Sequence, residues 1–235
     1  MFAGPPLEAG IPPFQDRCEA GKLLAGKLTR YADRQDVQVL ALPRGGAPVA
    51  FEIALAIRAP LDIFVVRKLG VPGHEELAMG AVASGNVRTL QENVVDAFHI
   101  SSSMINEAAT RELRELSRRE QIYRSSRPPP EIRGRAIIIV DDGLATGASM
   151  RAAVSALKQQ RPARTIIAVP VAAPEVCNEL KNEVDEIICL KTPSSFCAVG
   201  NWYEDFSQVT DEEVRDLLAR LDRKRSAGFT ATRGS

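Results

Sequence analysis

The stretch that decides the fold is residues 136–149, which read AIIIVDDGLATGAS. It begins with a continuous run of alanine, isoleucine and valine, which is typical of a parallel strand covered on both faces. Two acids, a glycine and small residues follow, and a helix is predicted over residues 147–160. In open α/β sheets, ligands bind beyond the carboxyl ends of the strands. The stretch therefore predicts the fold class and the place of a binding site together.

The rest of the chain repeats this alternation. Strands are predicted at residues 37–42, 61–66, 165–170 and 184–190, and helices at residues 14–31, 47–57, 101–123 and 173–181. A hairpin or bent extension is predicted over residues 80–95, around Ser84-Gly85-Asn86. Residues 70–80 are polar and interrupted by glycine and proline, so we predict a mobile loop at residues 69–79 that closes over a ligand. The predicted fold class is α/β with a doubly wound, mostly parallel sheet.

The chain length of 235 residues fits one α/β domain with extensions. We expect a flexible leader at residues 1–13, a domain over residues 14–222 and a flexible tail at residues 223–235. A small hood region is expected from residues 192–209 together with the N-terminal segment.

Composition limits the classes of partner. The 30 basic and 30 acidic residues cancel, so no overall positive surface for nucleic acid is expected. No apolar run approaches the roughly 18 residues of a membrane span, and the N-terminal segment lacks the pattern of a secretory signal. The four cysteines have neither CxxC spacing nor companion histidines, which argues against a zinc site. We expect a cytoplasmic protein with reduced cysteines and a small-molecule partner.

The residues after the predicted strand combine two chemistries. Asp141 and Asp142 are adjacent at the strand end, where leaving two dehydrated acids unpaired would cost several kcal/mol. A ligand that carries hydroxyl groups or a metal ion would compensate them. Residues 143–149 supply backbone N–H groups, the hydroxyls of Thr146 and Ser149, and a helix N-terminus, all of which favour an anion. Ribose 5-phosphate matches this layout, and a tight turn with capping acids is the alternative.

Other phosphate loops fit poorly, because no Lys-Ser or Lys-Thr follows the glycines and no GxGxxG pattern is present here. Residues 138–149 instead resemble the phosphoribosyl pyrophosphate (PRPP) signature of the type I phosphoribosyltransferases, and the resemblance covers most of residues 15–218. It implies that Asp141 and Asp142 bind the ribose hydroxyls. The residues implied for the 5-phosphate are Ala145, Thr146, Gly147, Ala148 and Ser149. Mg2+ is the implied cofactor, held through the substrate rather than by a dedicated site, with Asp141 and Asp142 as candidate protein contacts.

Two further segments resemble parts of the same family. Residues 42–46, LPRGG, resemble the pyrophosphate loop, where Arg44 and the backbone N–H groups of Gly45 and Gly46 would bind pyrophosphate. Arg67 and Lys68 stand where the catalytic loop begins and would neutralise the charge that grows on the leaving group. The alternatives are an ordinary strand-helix turn at the glycines and a solvated strand end at Arg67-Lys68.

The signature itself supplies no general base in this chain. Some members of the family carry an acid where this sequence has Ala145, and alanine at this place resembles the adenine enzymes. If the reaction needs a base, it must come from elsewhere, and the candidates in the predicted mobile loop are His74, Glu75 and Glu76. Solvated loop residues without a catalytic role are the alternative.

Residues 192–206 resemble the hood of the hypoxanthine-guanine phosphoribosyltransferases, in which a phenylalanine stacks on the purine. This resemblance implies Phe196 as the stacking surface for the acceptor. Trp202 or Tyr203 would substitute, since this chain is one residue longer between the phenylalanine and the following glycine. The alternative is that the aromatic residues of this segment, Phe206 among them, pack in the core of a small subdomain.

Four segments in this order, PRGG, RKLGVPGHEELAMGAV, DDGLATGAS and VGNWYEDF, are similar to bacterial phosphoribosyltransferases whose acceptor is not established. The resemblance implies transfer of a phosphoribosyl group from PRPP to a nitrogen nucleophile, a purine-like base of nucleotide salvage, with release of pyrophosphate. A homodimer is expected. Two other classes stay open: a non-catalytic PRPP-binding regulatory protein, and a hydrolase or phosphorylase of nucleotide ribose on a similar fold.

Overall fold

The computed structural model describes residues 12–124 and 127–231, with side chains as far as Arg225. In chain order the elements are α1 (Arg17–Ala25), a 3-10 turn (Thr29–Tyr31), β1 (Val37–Ala41), α2 (Gly46–Ile57), β2 (Leu61–Ile63), β3 (Val66–Val71), β4 (His74–Ala83), β5 (Val87–Leu90), α3 (Glu92–Ala97), α4 (Ser102–Arg124), β6 (Ala136–Val140), α5 (Ala148–Gln159), β7 (Arg164–Val171), α6 (Pro174–Leu180), β8 (Glu186–Lys191), a second 3-10 turn (Val199–Trp202) and α7 (Asp211–Ala231). The leader expected at residues 1–13 falls mainly on residues 1–11, outside the described residues.

The main sheet is parallel and has the strand order β2-β1-β6-β7-β8. Hydrophobic cores lie on both of its faces, covered by helices. This confirms the predicted doubly wound, mostly parallel α/β class. After β1 the chain adds β2 on one side of β1, and β6 later pairs with the other side of β1. The direction in which strands are added therefore reverses between β1 and β6. Such switch points are where open α/β sheets form ligand-binding crevices.

Strand β6 is buried at every position, and its side chains alternate between the two cores. Ile138 and Val140 pack in the core that includes Ile53 of α2, whereas Ile137 packs in the core that includes Val154 of α5. Full burial of one such side chain contributes about 1.5–3 kcal/mol. Because both faces are covered, the strand has the continuous apolar sequence of a central parallel strand rather than an alternating one.

The segment at residues 70–80 is strand, not loop. β3 and β4 form an antiparallel pair with register shifts on both sides of Gly70, and β5 completes a separate three-stranded sheet. Leu69 and Met79 are fully buried in one core with residues of α4. A Cβ on Gly70 would lie 2.7 Å from the Glu75 carbonyl oxygen, so this glycine permits close strand approach rather than breaking the strand. The prediction of an irregular loop is therefore wrong, and closure of the hairpin tip over a ligand stays a prediction.

The next turn confirms the hairpin predicted around Ser84-Gly85-Asn86. It joins β4 to β5, with positive φ angles of +85° at Gly85 and +58° at Asn86. Glycine and asparagine are the residues that adopt this left-handed region most readily.

Helices α3 and α7 are not among the predicted elements. Helix α7 begins with reciprocal capping, in which Glu213 N–H donates to Thr210 Oγ1 at 3.1 Å and Thr210 N–H donates to Glu213 Oε2 at 2.6 Å. Its apolar side chains, Val214 among them, pack in the main core. The domain end expected at residue 222 therefore lies inside this helix, which continues to Ala231. In the described residues, none of the helices combines the length and apolar character needed to cross a membrane.

Candidate functional site

The candidate site lies where β1 and β6 end side by side. Ala41 pairs with Val140, so the loop after β1 and the loop after β6 leave the same edge of the sheet. Leu42 N–H donates to the Val140 carbonyl oxygen at 2.8 Å, which joins the two loops at their base. The predicted pyrophosphate loop and the predicted ribose-phosphate loop are therefore neighbours, although about 100 positions separate them in the chain.

Gly45 and Gly46 let these two loops touch. A Cβ on Gly45 would lie 2.1 Å from Asp142 Oδ2, and a Cβ on Gly46 would lie 2.6 Å from the Val140 carbonyl oxygen. Both distances are too short for a side chain, so glycine is required at both positions for steric reasons. Gly46 N–H donates to the Leu42 carbonyl oxygen at 3.1 Å. The expectation that both N–H groups face pyrophosphate needs correction, because the Gly46 N–H closes the turn; Gly45 N–H is the candidate.

The three predicted cationic residues lie in different settings. Arg44 is partly buried in the loop after β1 and is joined to Pro43 by a cis peptide bond. Arg67 of β3 donates from Nε to Glu112 Oε2 of α4 at 2.9 Å, so its charge is paired. Lys68 follows it on the strand and is exposed, and adjacent strand residues point to opposite faces. Arg67 therefore anchors the hairpin to α4, while Lys68 stays accessible.

Asp141 and Asp142 are partly buried at the carboxyl end of β6. Asp142 N–H donates to Asp141 Oδ1 at 2.9 Å. Burial, and after it the charge of Asp142, raises the pKa of Asp141 well above its usual value. Burial also raises the pKa of Asp142, but the guanidinium of Arg17 opposes this rise. The two acids are therefore not equivalent, because among the described residues Asp142 is the member of the pair that forms a direct ion pair with a cation.

Arg17 of α1 is this partner, although 125 positions separate it from Asp142. Its Nε and Nη2 atoms lie 2.9 and 2.8 Å from Asp142 Oδ2. Its Nη1 donates to the Ser207 carbonyl oxygen at 2.8 Å, and its guanidinium lies 3.9 Å from the centroid of the Phe206 ring. Sequence reasoning missed Arg17, because it belongs to none of the short motifs that carry the resemblance and its role depends on long-range packing.

The loop after the acids leads to an open helix N-terminus. Leu144 is fixed to the end of β7, since its N–H donates to the Val171 carbonyl oxygen at 2.9 Å and its carbonyl oxygen accepts the Ala173 N–H at 3.0 Å. Gly147 has a φ of +66° and offers α5 no side-chain cap. The Ala148 N–H has a long contact of 3.4 Å with Thr146 Oγ1. The N–H groups of this first turn and the positive end of the helix dipole together attract anions.

The predicted phosphate residues surround this helix end: Ala145, Thr146, Gly147, Ala148 and Ser149. The hydroxyl-bearing members, Thr146 and Ser149, are both exposed. Arg151 holds the loop in place, donating from Nη2 to the Thr146 carbonyl oxygen and from Nη1 to Glu179 Oε2, the latter at 2.9 Å. The structure therefore brings all five residues together with the acid pair at one edge of the sheet.

The candidate bases lie elsewhere. His74, Glu75 and Glu76 open β4 near the hairpin tip, and all three are exposed. The His74 ring contacts the Phe98 ring at a centroid distance of 5.7 Å, and Glu75 Oε1 accepts the Gly73 N–H at 3.4 Å. These contacts are local to the hairpin and the end of α3, so the structure does not place these residues against the acid pair.

Trp202 and Tyr203 are packed rather than open. Trp202 is 1% exposed and Tyr203 is 6% exposed, in a small core that includes Phe14. The Tyr203 hydroxyl donates to the Asp142 carbonyl oxygen at 2.6 Å. The expectation that either ring substitutes as a stacking surface is corrected accordingly, because Trp202 is a core side chain and Tyr203 braces the acid loop. Burial, and after it the charge of Asp142, raises the pKa of Tyr203.

Two other aromatic rings of the hood retain exposed area. Phe196 is partly buried against two of the hydrophobic cores. Phe206 is 38% exposed and lies 5.2 Å from the Tyr203 ring between centroids. Sequence reasoning treats Phe206 only as a core residue, but its contact with Arg17 places it beside the acid pair. Both rings are thus candidates for contact with a flat ligand.

The chain is similar to known proteins over most of its length. A family profile described as the phosphoribosyl transferase domain matches residues 15–200. Two curated proteins of Mycobacterium tuberculosis, from strains CDC 1551 / Oshkosh and H37Rv, carry the name "Putative phosphoribosyl transferase" and are 41% identical to this chain over 210 residues. The match covers 89% of this chain and 47% of each relative. The chain spans about half the length of the curated relatives it matches.

A solved structure shows the same fold. The crystal structure of TT1426 from Thermus thermophilus superposes with a TM-score of 0.80 at 42% identity, over 89% of this chain and 99% of that one. The profile match includes both loops and the acid pair. The chain therefore belongs to the type I phosphoribosyltransferase family.

Proposed function

We propose that this protein transfers the phosphoribosyl group of PRPP to a nitrogen of a purine-like base and releases pyrophosphate, as an enzyme of nucleotide salvage. Family membership supports PRPP-dependent phosphoribosyl transfer in general. The observation that carries the proposal is the acid pair placed before the N-terminus of α5, where Gly147 provides no side-chain cap. A ligand with a diol at one end and a phosphate at the other would engage both parts.

Each acid commits one oxygen to the protein and presents the other to the ribose. Asp142 Oδ2 accepts from Arg17, and Asp141 Oδ1 accepts the Asp142 N–H. We assign Asp142 Oδ1 and Asp141 Oδ2 as acceptors for the two ribose hydroxyls. Hydrogen bonds to an ionised carboxylate are roughly twice as strong as neutral ones. The ribose hydroxyls of PRPP would therefore compensate the partly buried charges of Asp141 and Asp142.

The leaving group is proposed to lie toward the loop after β1. Arg44 and Gly45 N–H would stabilise the charge that grows on pyrophosphate as the bond to the anomeric carbon breaks. Lys68 would add a further cation if the hairpin closes toward the donor. Mg2+ is commonly held by substrate phosphates, water and one or two carboxylates, and the oxygens of Asp141 and Asp142 fit this chemistry. When bound, the ion neutralises part of the charge on pyrophosphate.

The acceptor is proposed to lie under the hood. Phe196 is our choice for its stacking surface, because the ring keeps exposed area while its other side packs on the core. Phe206 is the second candidate, since it is exposed next to Arg17. A flat base binds to an apolar face and is read by a few polar groups at its edge.

The proposed chemistry requires positioning more than proton transfer. The transition state carries positive charge at the anomeric carbon, and a nearby pair of carboxylates favours it. Exclusion of water strengthens that attraction and prevents hydrolysis. Glu75 and Glu76 stay proposals for a base. They are exposed at the hairpin tip, so that role would need the tip to approach the acceptor.

The test is pyrophosphate release from PRPP and Mg2+ against a panel of nucleobases and related amines. We expect release that depends on one acceptor class, with formation of the matching nucleotide. The variant Gly45→Ala, whose added Cβ would lie 2.1 Å from Asp142 Oδ2, should abolish release. The absence of release with every purine, in a wild-type protein that binds PRPP, would contradict the proposed reaction.

A PRPP-binding regulatory protein is the second candidate, and one observation favours it. Arg67, a predicted catalytic cation, is paired with Glu112 at 2.9 Å and is therefore less available to pyrophosphate. A regulator would bind PRPP with no turnover and would change its affinity for a partner protein. Binding without pyrophosphate release, measured on the same preparation, separates the two functions.

The expected homodimer and the cytoplasmic location belong to this proposal. Light scattering at several protein concentrations tests the first, with a mass near twice that of one 25.5 kDa chain expected. Imaging or fractionation of the tagged full-length protein tests the second.

A further inference from the structure

Arg17 contacts both halves of the proposed site. On one side it holds Asp142 of the ribose-binding pair, and on the other it holds the backbone of Ser207 in the hood. Its side chain is 10% exposed and that of Asp142 is 15% exposed, so water screens this ion pair only weakly. An arginine in this place therefore joins two segments that are far apart in sequence.

We propose that Arg17 is a positioning residue that transmits occupancy of the ribose site to the hood. The inference rests on the proposed function, because it takes PRPP as the ligand of Asp142. It goes beyond that function by assigning a role to helix α1, from which sequence reasoning drew no site residue.

The guanidinium is the group that these contacts require. Two of its nitrogens, Nε and Nη2, lie 2.9 and 2.8 Å from the same carboxylate oxygen of Asp142. The third, Nη1, donates to the Ser207 carbonyl oxygen at 2.8 Å. The guanidinium group lies 3.9 Å from the centroid of the Phe206 ring. A planar fork can make these contacts at once, whereas a lysine ammonium provides a single point charge on a flexible stem.

Asp142 is bound to the hood through its backbone as well. The Tyr203 hydroxyl donates to the Asp142 carbonyl oxygen at 2.6 Å, and the Tyr203 ring packs on Phe206. Asp142 is thus gripped by Arg17 at the side chain and by Tyr203 at the main chain. A ribose hydroxyl that binds Asp142 Oδ1 would orient the carboxylate further. This would restrict Arg17, and with it the segment at residues 203–207.

The chain provides an intrinsic reporter for this transmission. Trp202 is the single tryptophan of the sequence, is 1% exposed, and packs with Tyr203 and Phe14. Its emission should therefore respond to movement of the hood. The Phe14 N–H donates to the Trp202 carbonyl oxygen at 2.8 Å, which ties the N-terminal segment to the same unit.

The experiment titrates PRPP with Mg2+ into the full chain, following heat by calorimetry and Trp202 emission by fluorescence. In the wild type we expect the emission to change with the midpoint found by calorimetry. In Arg17→Met, which keeps length and removes charge, affinity should fall about tenfold, and the emission change should be lost at saturation. In Arg17→Lys, affinity should recover while the emission change stays small, because lysine restores the charge but not the planar bridge.

Arg34→Met is the matched control. Arg34 forms two hydrogen bonds of 3.0 and 2.6 Å with the carboxylate of Asp36. Both side chains are exposed. They lie just before β1, whereas the site lies beyond the carboxyl end of that strand. This variant should bind PRPP and change emission as the wild type does.

The inference is overturned if Arg17→Met binds PRPP with unchanged affinity and the full emission change. If Arg17→Met does not fold, Arg17→Lys decides, and a full emission change in Arg17→Lys overturns the role of the guanidinium. If the wild type does not bind PRPP, the proposed function itself is contradicted. Failure of the inference is a different result, because there the wild type binds PRPP normally.

Discussion

The end of β6 and the hood contribute to the same site by different means. At the end of β6, the acids, the small-residue loop and the helix N-terminus are consecutive in the chain, and the strand fixes their order. The hood and the helix beside it come from two distant segments, which are placed by contacts of Phe14 and Arg17 with Tyr203 and Phe206. A contiguous motif can be recognised from its residues alone. A site built from distant segments depends on packing, which the residues do not reveal one by one.

The largest effect that would sharpen this contrast is expected at Trp202. The Trp202 ring is 1% exposed and packs with Phe14, so we expect it to stabilise the hood rather than to contact a ligand. Trp202→Ala should lower the free energy of unfolding by about 3–5 kcal/mol, as measured by denaturant titration. A loss below about 1 kcal/mol, together with weaker acceptor binding, would return Trp202 to the candidate acceptor contacts.

Phe196 provides the complementary test, because it is the hood ring assigned to the acceptor. Phe196→Ala should raise the KM for the acceptor by the equivalent of roughly 1–3 kcal/mol, as for loss of base stacking. PRPP affinity should stay near that of the wild type. Steady-state kinetics and PRPP titration on the same preparation measure the two quantities.

Phe206→Ala is the comparison variant, because Phe206 is the second candidate for the stacking surface and lies beside Arg17 rather than against the two cores that Phe196 contacts. If Phe196→Ala loses PRPP affinity and thermal stability together, Phe196 is a core residue and the likeness to the hypoxanthine-guanine hood is wrong. If only Phe206→Ala weakens the acceptor, the stacking surface is Phe206.

Much of the main sheet could be predicted because its signals are local. The buried run of β6 and the alternation of strand and helix follow from side-chain periodicity over short windows. The hairpin of β3 and β4 was missed because Gly70 and Gly80 have the composition of a loop. In the structure a Cβ on Gly80 would lie 2.2 Å from the Thr89 carbonyl oxygen, so glycine here serves close strand pairing. Helix α7 did leave a local signal, the capping pair Thr210 and Glu213.

The candidate site divides in the same way. The acid pair and phosphate loop were assigned from one contiguous motif, and the structure brings those residues together. Arg17 could not be assigned, because its partner Asp142 is 125 positions away. In the loop after β1, the Gly46 N–H is occupied by a hydrogen bond to the Leu42 carbonyl oxygen, which leaves the Gly45 N–H as the candidate for pyrophosphate. Composition does not specify this hydrogen bond either.

The smallest predicted effect concerns the pH dependence of stability within the acid pair. The folded-state pKa of Asp141 is raised by burial and by the charge of Asp142. Ionisation of Asp141 in the folded protein therefore lowers the free energy of unfolding. The contribution of Asp141 to stability is largest below its unfolded pKa of about 3.9 and decreases as pH rises toward the raised folded pKa. Asp141→Asn should raise Tm at neutral pH, and this gain should shrink toward pH 4. Thermal unfolding at several pH values measures it.

Asp36→Asn should show the opposite sign. The hydrogen bond from Arg34 lowers the pKa of Asp36, so this carboxylate adds stability above its unfolded pKa and loses it on acidification. Its replacement should slightly lower Tm at neutral pH, with the loss disappearing at low pH. A Tm gain in Asp141→Asn that does not change with pH would contradict the account of Asp141.

Calorimetric titration of PRPP with Mg2+ into the wild type and into the double variant Asp141→Asn/Asp142→Asn tests the central claim most directly. Asparagine keeps the size of each side chain and removes the charge that strengthens its hydrogen bonds to the ribose hydroxyls. We predict saturable binding by the wild type and binding weaker by ~1–3 kcal/mol in the folded double variant. Equal affinity in the two proteins would contradict the assignment of the acid pair to the ribose, and no binding by the wild type would contradict the proposed donor.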